Sequence, residues 1–278
     1  MIAIALALGA ALGWGASDFL GGLKSRSLPL LSVLLVSQAA ALILLATVMA
    51  IRGASPPDPA FLVQAAIAGL GETAGIAALY RGLAVGTMSI VAPVAAAAPA
   101  IPLLAGLTAG QVPGPFQFAG LAFAVLGLII TSRGPATEAG ARPLASILYG
   151  LLAALGFGAF FLTMHNAGQA DTGWALLTAR LTTVLMIVSV LLIKRHRVTV
   201  RRSDLPVLAA IGVLIVAADA QYAFASILGQ VGVAAVLASL HTVVTITLAR
   251  IVLKERLQRR QQIGIGIVLL GVLAISVA

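Results

Sequence analysis

The sequence has no cysteine and little charge, and both shortages exclude whole classes of protein. Without Cys among its 278 residues it has no disulfide framework, thiolate metal site or catalytic thiol. Only 9% of the residues are charged and 5% are aromatic, whereas 61% are hydrophobic and the mean hydropathy is +1.12. The longest polar runs, 133–143 and 194–206, are too short to bury a core of their own. This composition is typical of a chain immersed in lipid.

Other features are missing as well. No Gly-x-x-x-x-Gly-Lys-Ser/Thr loop occurs, so this chain does not hydrolyse ATP. No His and carboxylate groups stand at metal-ligand spacing, and we expect neither a metal nor a cofactor. The chain also lacks a convergent nucleophile and base, which argues against an enzyme. The net charge of +9 is spread over short loops, so we expect a membrane and no nucleic acid as partner.

The chain repeats itself at an offset of 143 or 144 residues. Ala-Leu-Gly-Trp-Gly-Ala at 11–16 returns as Ala-Leu-Gly-Phe-Gly-Ala at 154–159, and residues 86–130 read like residues 232–274. Duplicated hydrophobic segments are a common design of secondary transporters, in which the substrate site lies between the repeats. The duplication therefore points to transport.

We divide the chain into a first repeat at 1–133, a linker at 134–143 and a second repeat at 144–278. A transmembrane helix needs about 20 apolar residues. Polar, Pro and Gly clusters then predict an all-α integral membrane protein with ten transmembrane helices. Five helices per repeat is an odd number, so the second repeat enters the membrane inverted. The predicted helices are 2–22, 30–51, 60–81, 86–109, 116–132, 144–165, 173–194, 205–228, 231–253 and 260–277.

The basic residues predict which loops lie on the cytoplasmic side of the membrane. The odd-numbered loops carry 14 of the 17 Lys and Arg residues, whereas the even-numbered loops hold only Arg52. Because cytoplasmic loops are enriched in Lys and Arg, the odd loops should be cytoplasmic. The N-terminus has no basic segment before its apolar run, which favours a first transmembrane helix over a cleavable signal. We therefore expect a multi-pass protein of the cell (inner) membrane with both termini outside the cytoplasm.

Several motifs resemble one known family. Residues 240–257, from Leu240-His-Thr through Leu253-Lys-Glu-Arg-Leu257, are similar to the Leu-x-Pro…Leu-Gly-Glu-Arg segment of the EamA-type drug/metabolite transporters. The Gly-rich last helix, the run from Ala78 to Gly86, and Trp14-Gly-x-x-Asp-Phe near the start resemble the same family. Thr242 stands where the family usually has Pro. The resemblance implies a ten-helix permease that moves small metabolites.

Relatives of that type export amino acids and other metabolites, and some import small quaternary amines. The resemblance therefore implies amino-acid or metabolite efflux by alternating access first, and uptake of a choline-like amine as the alternative. A receptor or structural protein of the membrane is a third hypothesis. It predicts that changing the buried carboxylates alters stability and moves no solute. A duplicated chain can form its whole site alone, so we expect a monomer.

Charged side chains inside the membrane are costly and are functional candidates. Glu72 and Asp219 lie midway along the third and eighth helices, in approximately corresponding positions of the repeat. They are candidates for binding protons or an amine-bearing solute, or for locking helices together. Arg180 in the seventh helix is expected to bind a solute carboxylate, to pair with a resident carboxylate, or to reach the interface. His241 in the ninth helix is a candidate proton relay, solute ligand or packing residue.

Aromatic residues supply the remaining site candidates. Trp14 and its repeat counterpart Phe157, with Tyr80 and Tyr222, are expected to stack on or hydrogen-bond a solute, or simply to pack. Asp18 shares a helix face with Trp14 and lies near Lys24, so it is a candidate gate or an interfacial charge. Three further polar residues are weaker candidates: Gln38, Asn166 and Gln221.

Proline and glycine predict local helix geometry. Pro93, Pro99 and Pro102 should kink the fourth helix, whereas the ninth helix contains no proline and should be continuous. The repeats are therefore expected to differ here. Glycine pairs with four-residue spacing favour close helix packing: Gly9 with Gly13, Gly71 with Gly75, and Gly82 with Gly86.

Overall fold

A computed structural model describes residues 1–25, 27–85, 91, 94–95, 97–132, 143–253 and 259–277. Within these ranges the chain forms α-helices and no strand. The predicted motif residues Pro93 and Lys254, and the side chain of Tyr80, lie outside the described residues. The helices are α1 Ile2–Ser25, α2 Leu30–Arg52, α3 Pro59–Val85, α4 Ala100–Thr108, α5 Pro115–Ser132, α6 Pro143–Ile193, α7 Leu205–Leu228, α8 Val231–Ala238, α9 His241–Leu253 and α10 Arg259–Val277.

The all-α membrane architecture is confirmed. Helices α1, α2 and α7 and the Pro59–Leu79 part of α3 are long and apolar enough to cross a membrane, as is the Leu144–Ile193 stretch of α6. Shorter apolar helices occur at Pro115–Ile130, Val231–Thr245 and Gln262–Gly271. The exposed large hydrophobic side chains of the protein are mainly Leu, Ile, Val and Phe, whereas Ala is the commonest buried hydrophobic residue. This is the expected distribution, since helices in lipid associate through small residues.

Helix α6 contains two transmembrane segments joined at one residue. Asp171 has extended backbone angles, φ −161° and ψ 109°, and separates limb α6a (143–170) from limb α6b (172–193). Its carboxylate accepts a hydrogen bond from the backbone N–H of Trp174 at 2.9 Å, which caps the start of α6b. We predicted a loop over 166–172. That prediction was wrong in length because the helix continues to the capping aspartate.

The ninth segment is interrupted although it contains no proline. Helix α8 ends at Ala238 and α9 begins at His241, with a turn at Ser239 and Leu240 between them. The N–H of Leu240 bonds the carbonyl of Leu237 at 3.2 Å, which is a tighter, three-residue turn. In the first repeat a turn at 97–99 precedes α4, close to the equivalent position. The expected difference between the repeats is therefore wrong on this point, because both helices are broken.

The helices pair across the two repeats. Helix α1 packs on α7, α3 packs on both limbs of α6, and α5 packs on α10. The α1–α7 and α3–α6a contacts are equivalent under the repeat, since Gly13 and Gly156 are 143 residues apart. Gly13 lies against Ala218 of α7, and Gly156 lies against Gly71 and Gly75 of α3. The core of the molecule is therefore an interface between its halves.

The close approach at Gly156 yields a stability prediction. A Cβ atom at this position would lie 2.6 Å from the carbonyl oxygen of Gly71 and 2.7 Å from the backbone nitrogen of Gly75. Backbone atoms cannot move aside as a flexible side chain can, so Gly156→Ala should lower the free energy of unfolding in detergent by about 1–3 kcal/mol. Gly22→Ala is the matched control, because nothing lies within 4 Å of its Cβ position. Equal melting temperatures for the two variants would contradict this packing.

Candidate functional site

Arg180 is the centre of a buried polar cluster. Limb α6b places its side chain inside the bundle, where only 1% of it is exposed. The guanidinium forms an ion pair with Asp219 of α7 and donates a hydrogen bond to Oε1 of Gln38 on α2. It also lies 3.5 Å from Oε2 of Glu72 on α3. Four helices thus meet at one cation, with Gln38 and Glu72 from the first repeat and Arg180 and Asp219 from the second.

Asp219 is held on both of its oxygens. Arg180 binds Oδ2, and the indole nitrogen of Trp14 donates to Oδ1 at 2.8 Å. The carboxylate is 1% exposed, so it is enclosed by these partners. Charge-assisted hydrogen bonds of this kind compensate much of the cost of placing ions in lipid. Asp219 therefore serves as the fixed counter-ion of Arg180.

Glu72 is attached more loosely than Asp219. Its distance of 3.5 Å from Arg180 is at the outer edge of hydrogen bonding, and its side chain remains 14% exposed. Its neighbours Gly71 and Gly75 pack on Gly156 and Phe157 of α6a, so Glu72 lies on the inner side of α3. With all three groups ionised, Arg180, Glu72 and Asp219 carry a net charge of −1. The fully ionised cluster therefore has one negative charge in excess.

An aromatic cluster surrounds Trp14. Its ring centroid lies 5.9 Å from that of Phe160, 6.0 Å from Phe161 and 5.8 Å from Tyr222. Tyr222 is fully buried and its hydroxyl donates to the carbonyl of Phe161 at 2.7 Å. These rings fix the indole in the position from which it reaches Asp219. Phe157 is separate, with its ring against Gly75 of α3.

His241 and Asp18 form a pair beside this cluster. Nδ1 of His241 lies 2.9 Å from Oδ2 of Asp18, and the two side chains are 33% and 49% exposed. The imidazole also makes an edge contact with Trp14 at 6.0 Å. One turn further on, Thr245 donates to the carbonyl of Gly15 at 3.1 Å. The start of α9 is thus attached to the second half of α1.

Two salt bridges join helix ends of different repeats at opposite ends of the bundle. Lys24 at the end of α1 lies 2.7 Å from Asp204, which immediately precedes α7. Arg52 at the end of α2 contacts both oxygens of Asp171, at 2.8 and 2.7 Å. Because α1 and α2 run in opposite directions, these bridges lie at opposite ends. Each one ties the first repeat to the second.

The structure therefore brings together most of the site residues predicted from the sequence. Eight side chains were predicted for solute binding or coupling, and a ninth, Asp18, for a gate. Seven of the eight lie in or directly beside the clusters: Trp14, Glu72, Phe157, Arg180, Asp219, Tyr222 and His241. The side chain of the eighth, Tyr80, lies outside the described residues. Over the described residues, no group of three His, Cys, Asp or Glu side chains is arranged to hold a metal ion.

Three residues matter more than the sequence indicated. Gln38, a weaker candidate in the sequence, is 3% exposed and binds Arg180. A polar residue midway along an apolar helix is itself a sign of a buried polar partner. Phe160 and Phe161 support Trp14. Nothing distinguishes them in the sequence from ordinary lipid-facing aromatics, since their role depends on the crossing of α6a with α1 and α7.

Comparison with known proteins gives one family and one fold. The EamA-like transporter family matches residues 1–133 and 144–277. A solved structure titled only "Crystal structure of protein" superposes with a TM-score of 0.80 at 15% identity. The match covers 99% of this chain and 96% of that one, and at this identity it shows the fold alone. No curated protein matches the sequence significantly.

Proposed function

This chain belongs to the EamA-like transporter family, and we propose that it exports amino acids and related small metabolites by alternating access. It is a multi-pass membrane transporter of small solutes. One observation supports the finer proposal above all. The buried cluster of Gln38, Glu72, Arg180 and Asp219 takes two residues from each repeat, midway along their helices. Secondary transporters with inverted repeats bind their solute at such a place.

We propose alternating access because of how the cluster is built. Its residues come from both repeats, so rocking one repeat against the other changes the distances within it and exposes it to either side in turn. A single chain supplies both repeats, and we propose that it works as a monomer with 1–133 and 144–278 as its moving halves. The ionisable groups of the cluster also make the proton the leading candidate for the coupling ion.

Uptake of a small quaternary amine is the second candidate, and Phe157 favours it. Its half-buried ring lies against Gly75, one helical turn from Glu72. An aromatic face beside a carboxylate is a suitable site for a quaternary ammonium. Tyr222 does not contribute a face to such a cage because it is fully buried and supports Trp14.

Exchange in proteoliposomes tests the proposal. Vesicles with purified protein are loaded with an unlabelled panel of amino acids, amines, quaternary amines and carboxylates, and entry of each labelled counterpart is measured with and without a pH gradient. We expect at least one class to exchange faster than in protein-free vesicles, and the gradient to drive its accumulation. Exchange that does not depend on the pH gradient would indicate a facilitator without proton coupling. No exchange of any solute would contradict the proposed function.

The orientation has its own test. We propose that both termini lie outside the cytoplasm, on the basis of the Lys and Arg bias of the loops. The natural chain has no cysteine, so single cysteines report without background. Ser55→Cys, in the loop after α2, should react with an impermeant thiol reagent in intact cells. Val198→Cys, which is 45% exposed in the basic loop, should react only after the membrane is opened. The reverse pattern would overturn this orientation.

A further inference from the structure

The Arg180 cluster contains one carboxylate that is free to take a new partner, and the identity of that carboxylate bears on the solute class. The inference rests on the proposed function, since it concerns the group of the solute that this cluster recognises. Three groups in the cluster are available in principle: the guanidinium of Arg180 and the carboxylates of Asp219 and Glu72. Their contacts differ, and this difference shows which of the three groups is available to a solute.

Arg180 is poorly placed to receive a solute carboxylate. A carboxylate gains most from a guanidinium through two parallel hydrogen bonds. One terminal nitrogen of Arg180 donates to Asp219, and the other donates to Gln38 and Glu72. Asp219 is further fixed by Trp14 and is 1% exposed. A solute carboxylate that bridged the two terminal nitrogens would have to displace a buried, doubly bound carboxylate and leave it unpaired, which is costly.

Glu72 is the exchangeable group. It is the only one of the three that keeps appreciable exposure, 14%, and its contact with Arg180 is the weakest at 3.5 Å. The net charge of −1 on the ionised cluster lies in surroundings of low dielectric constant, where it attracts a cation more strongly than it would in water. A positively charged solute group beside Glu72 would neutralise that charge without disturbing the Arg180–Asp219 pair.

Two neighbouring features fit an ammonium group at Glu72. The ring of Phe157 lies against Gly75, which is one helical turn from Glu72 on the inner side of α3. Aromatic faces bind ammonium and quaternary ammonium groups. In addition, Nε of Arg180 is buried and has no hydrogen-bond partner among the described residues. An unpaired buried donor of this kind calls for an acceptor oxygen.

We infer that the solute is an amine-bearing cation or zwitterion whose ammonium group binds Glu72 beside Phe157. Its carbonyl or carboxylate oxygen, where it has one, accepts a hydrogen bond from the Nε–H of Arg180. Arg180 is then an internal counter-ion that also donates to the solute. Solutes that carry a carboxylate and no amine are excluded by the negative charge of the cluster.

Matched compounds test this selectivity on the natural protein. Glycine, alanine, leucine and phenylalanine are each compared with their amides, which keep the ammonium and lose the negative charge, and with their deaminated acids. Each compound competes with the labelled solute that exchanges in vesicles, and each is also tested for raising the melting temperature of purified protein. For each amino acid that binds, its amide should bind at least as well as the amino acid itself. The deaminated acid should bind about tenfold or more weakly, as expected for the loss of a charged hydrogen bond.

Variants of Glu72 test whether the ammonium group binds at this residue. Glu72→Gln should raise the dissociation constant of the best-binding amide by about 10- to 100-fold, and Glu72→Asp by less. Asp58→Asn is the control, because Asp58 is an exposed carboxylate before α3 and away from the cluster. A deaminated acid that binds as well as its parent amino acid would overturn the inference. So would solute exchange with no competition from any ammonium compound. If no solute exchanges at all, the proposed function fails and melting temperatures alone decide the inference.

Discussion

Arg180→Gln is expected to be among the most damaging single substitutions in this chain, lowering the free energy of unfolding by about 3–5 kcal/mol. The guanidinium is the only cation among the described residues in contact with Asp219 and Glu72. Removing it leaves a carboxylate that is 1% exposed without its counter-ion, in surroundings that solvate ions poorly. The measurement is unfolding of the purified protein in detergent, followed by circular dichroism.

The double variant Arg180→Gln/Asp219→Asn separates charge from packing. It removes both charges of the closest pair, so it should be more stable than Arg180→Gln alone, and the two effects should not add. Arg197→Gln, in the exposed loop after α6, is the control and should change stability by less than about 0.5 kcal/mol. A wild-type melting temperature for Arg180→Gln would show that this guanidinium is not the centre of the cluster.

Cross-linking either end of the bundle is expected to stop transport. Lys24 and Asp204 join the repeats at one end, and Arg52 and Asp171 join them at the other. Alternating access requires the ends to open in turn, so a covalent tie at either end should trap the protein on one side. We expect exchange to fall to the level of protein-free vesicles when the cysteine pair Lys24→Cys/Asp204→Cys, or Arg52→Cys/Asp171→Cys, is joined by a short bifunctional thiol reagent.

The absence of native cysteine makes this experiment specific to the introduced pair. Each pair is measured before cross-linking and after the link is cleaved, and both measurements should show exchange. A pair within one loop, Arg197→Cys with Arg201→Cys, treated with the same reagent, should leave exchange unchanged. Full exchange through a protein that is completely cross-linked at either end would contradict alternating access by rocking of the repeats.

Much of the architecture could be predicted because it leaves periodic signals. Lipid requires long apolar helices, and the duplication shows as similar runs such as 11–16 and 154–159. The cost of charge in lipid likewise marked Glu72, Arg180 and Asp219 as residues that must meet a partner or a solute. The sequence allowed Arg180 either a solute carboxylate or a resident one, and only the structure shows that Asp219 and Glu72 are its neighbours.

Other features depend on contacts between distant segments. The break between α8 and α9 has no proline or glycine to mark it, and it lies where His241 reaches Asp18 and Thr245 reaches the carbonyl of Gly15. Polar residues at 166–172 predicted a loop, yet α6a continues to 170 and Asp171 alone reverses the chain. Local composition cannot give such positions because they are set by the partner helix.

Solute exchange by Glu72→Gln, beside the natural protein in identical vesicles, tests most directly whether transport takes place at this cluster. Glu72 is partly exposed and loosely paired, so the variant should fold with a melting temperature close to that of the natural protein. We predict that the natural protein exchanges an amine-bearing solute and that the folded variant exchanges it at the rate of protein-free vesicles. Equal exchange by the two proteins would place the solute site elsewhere in the chain.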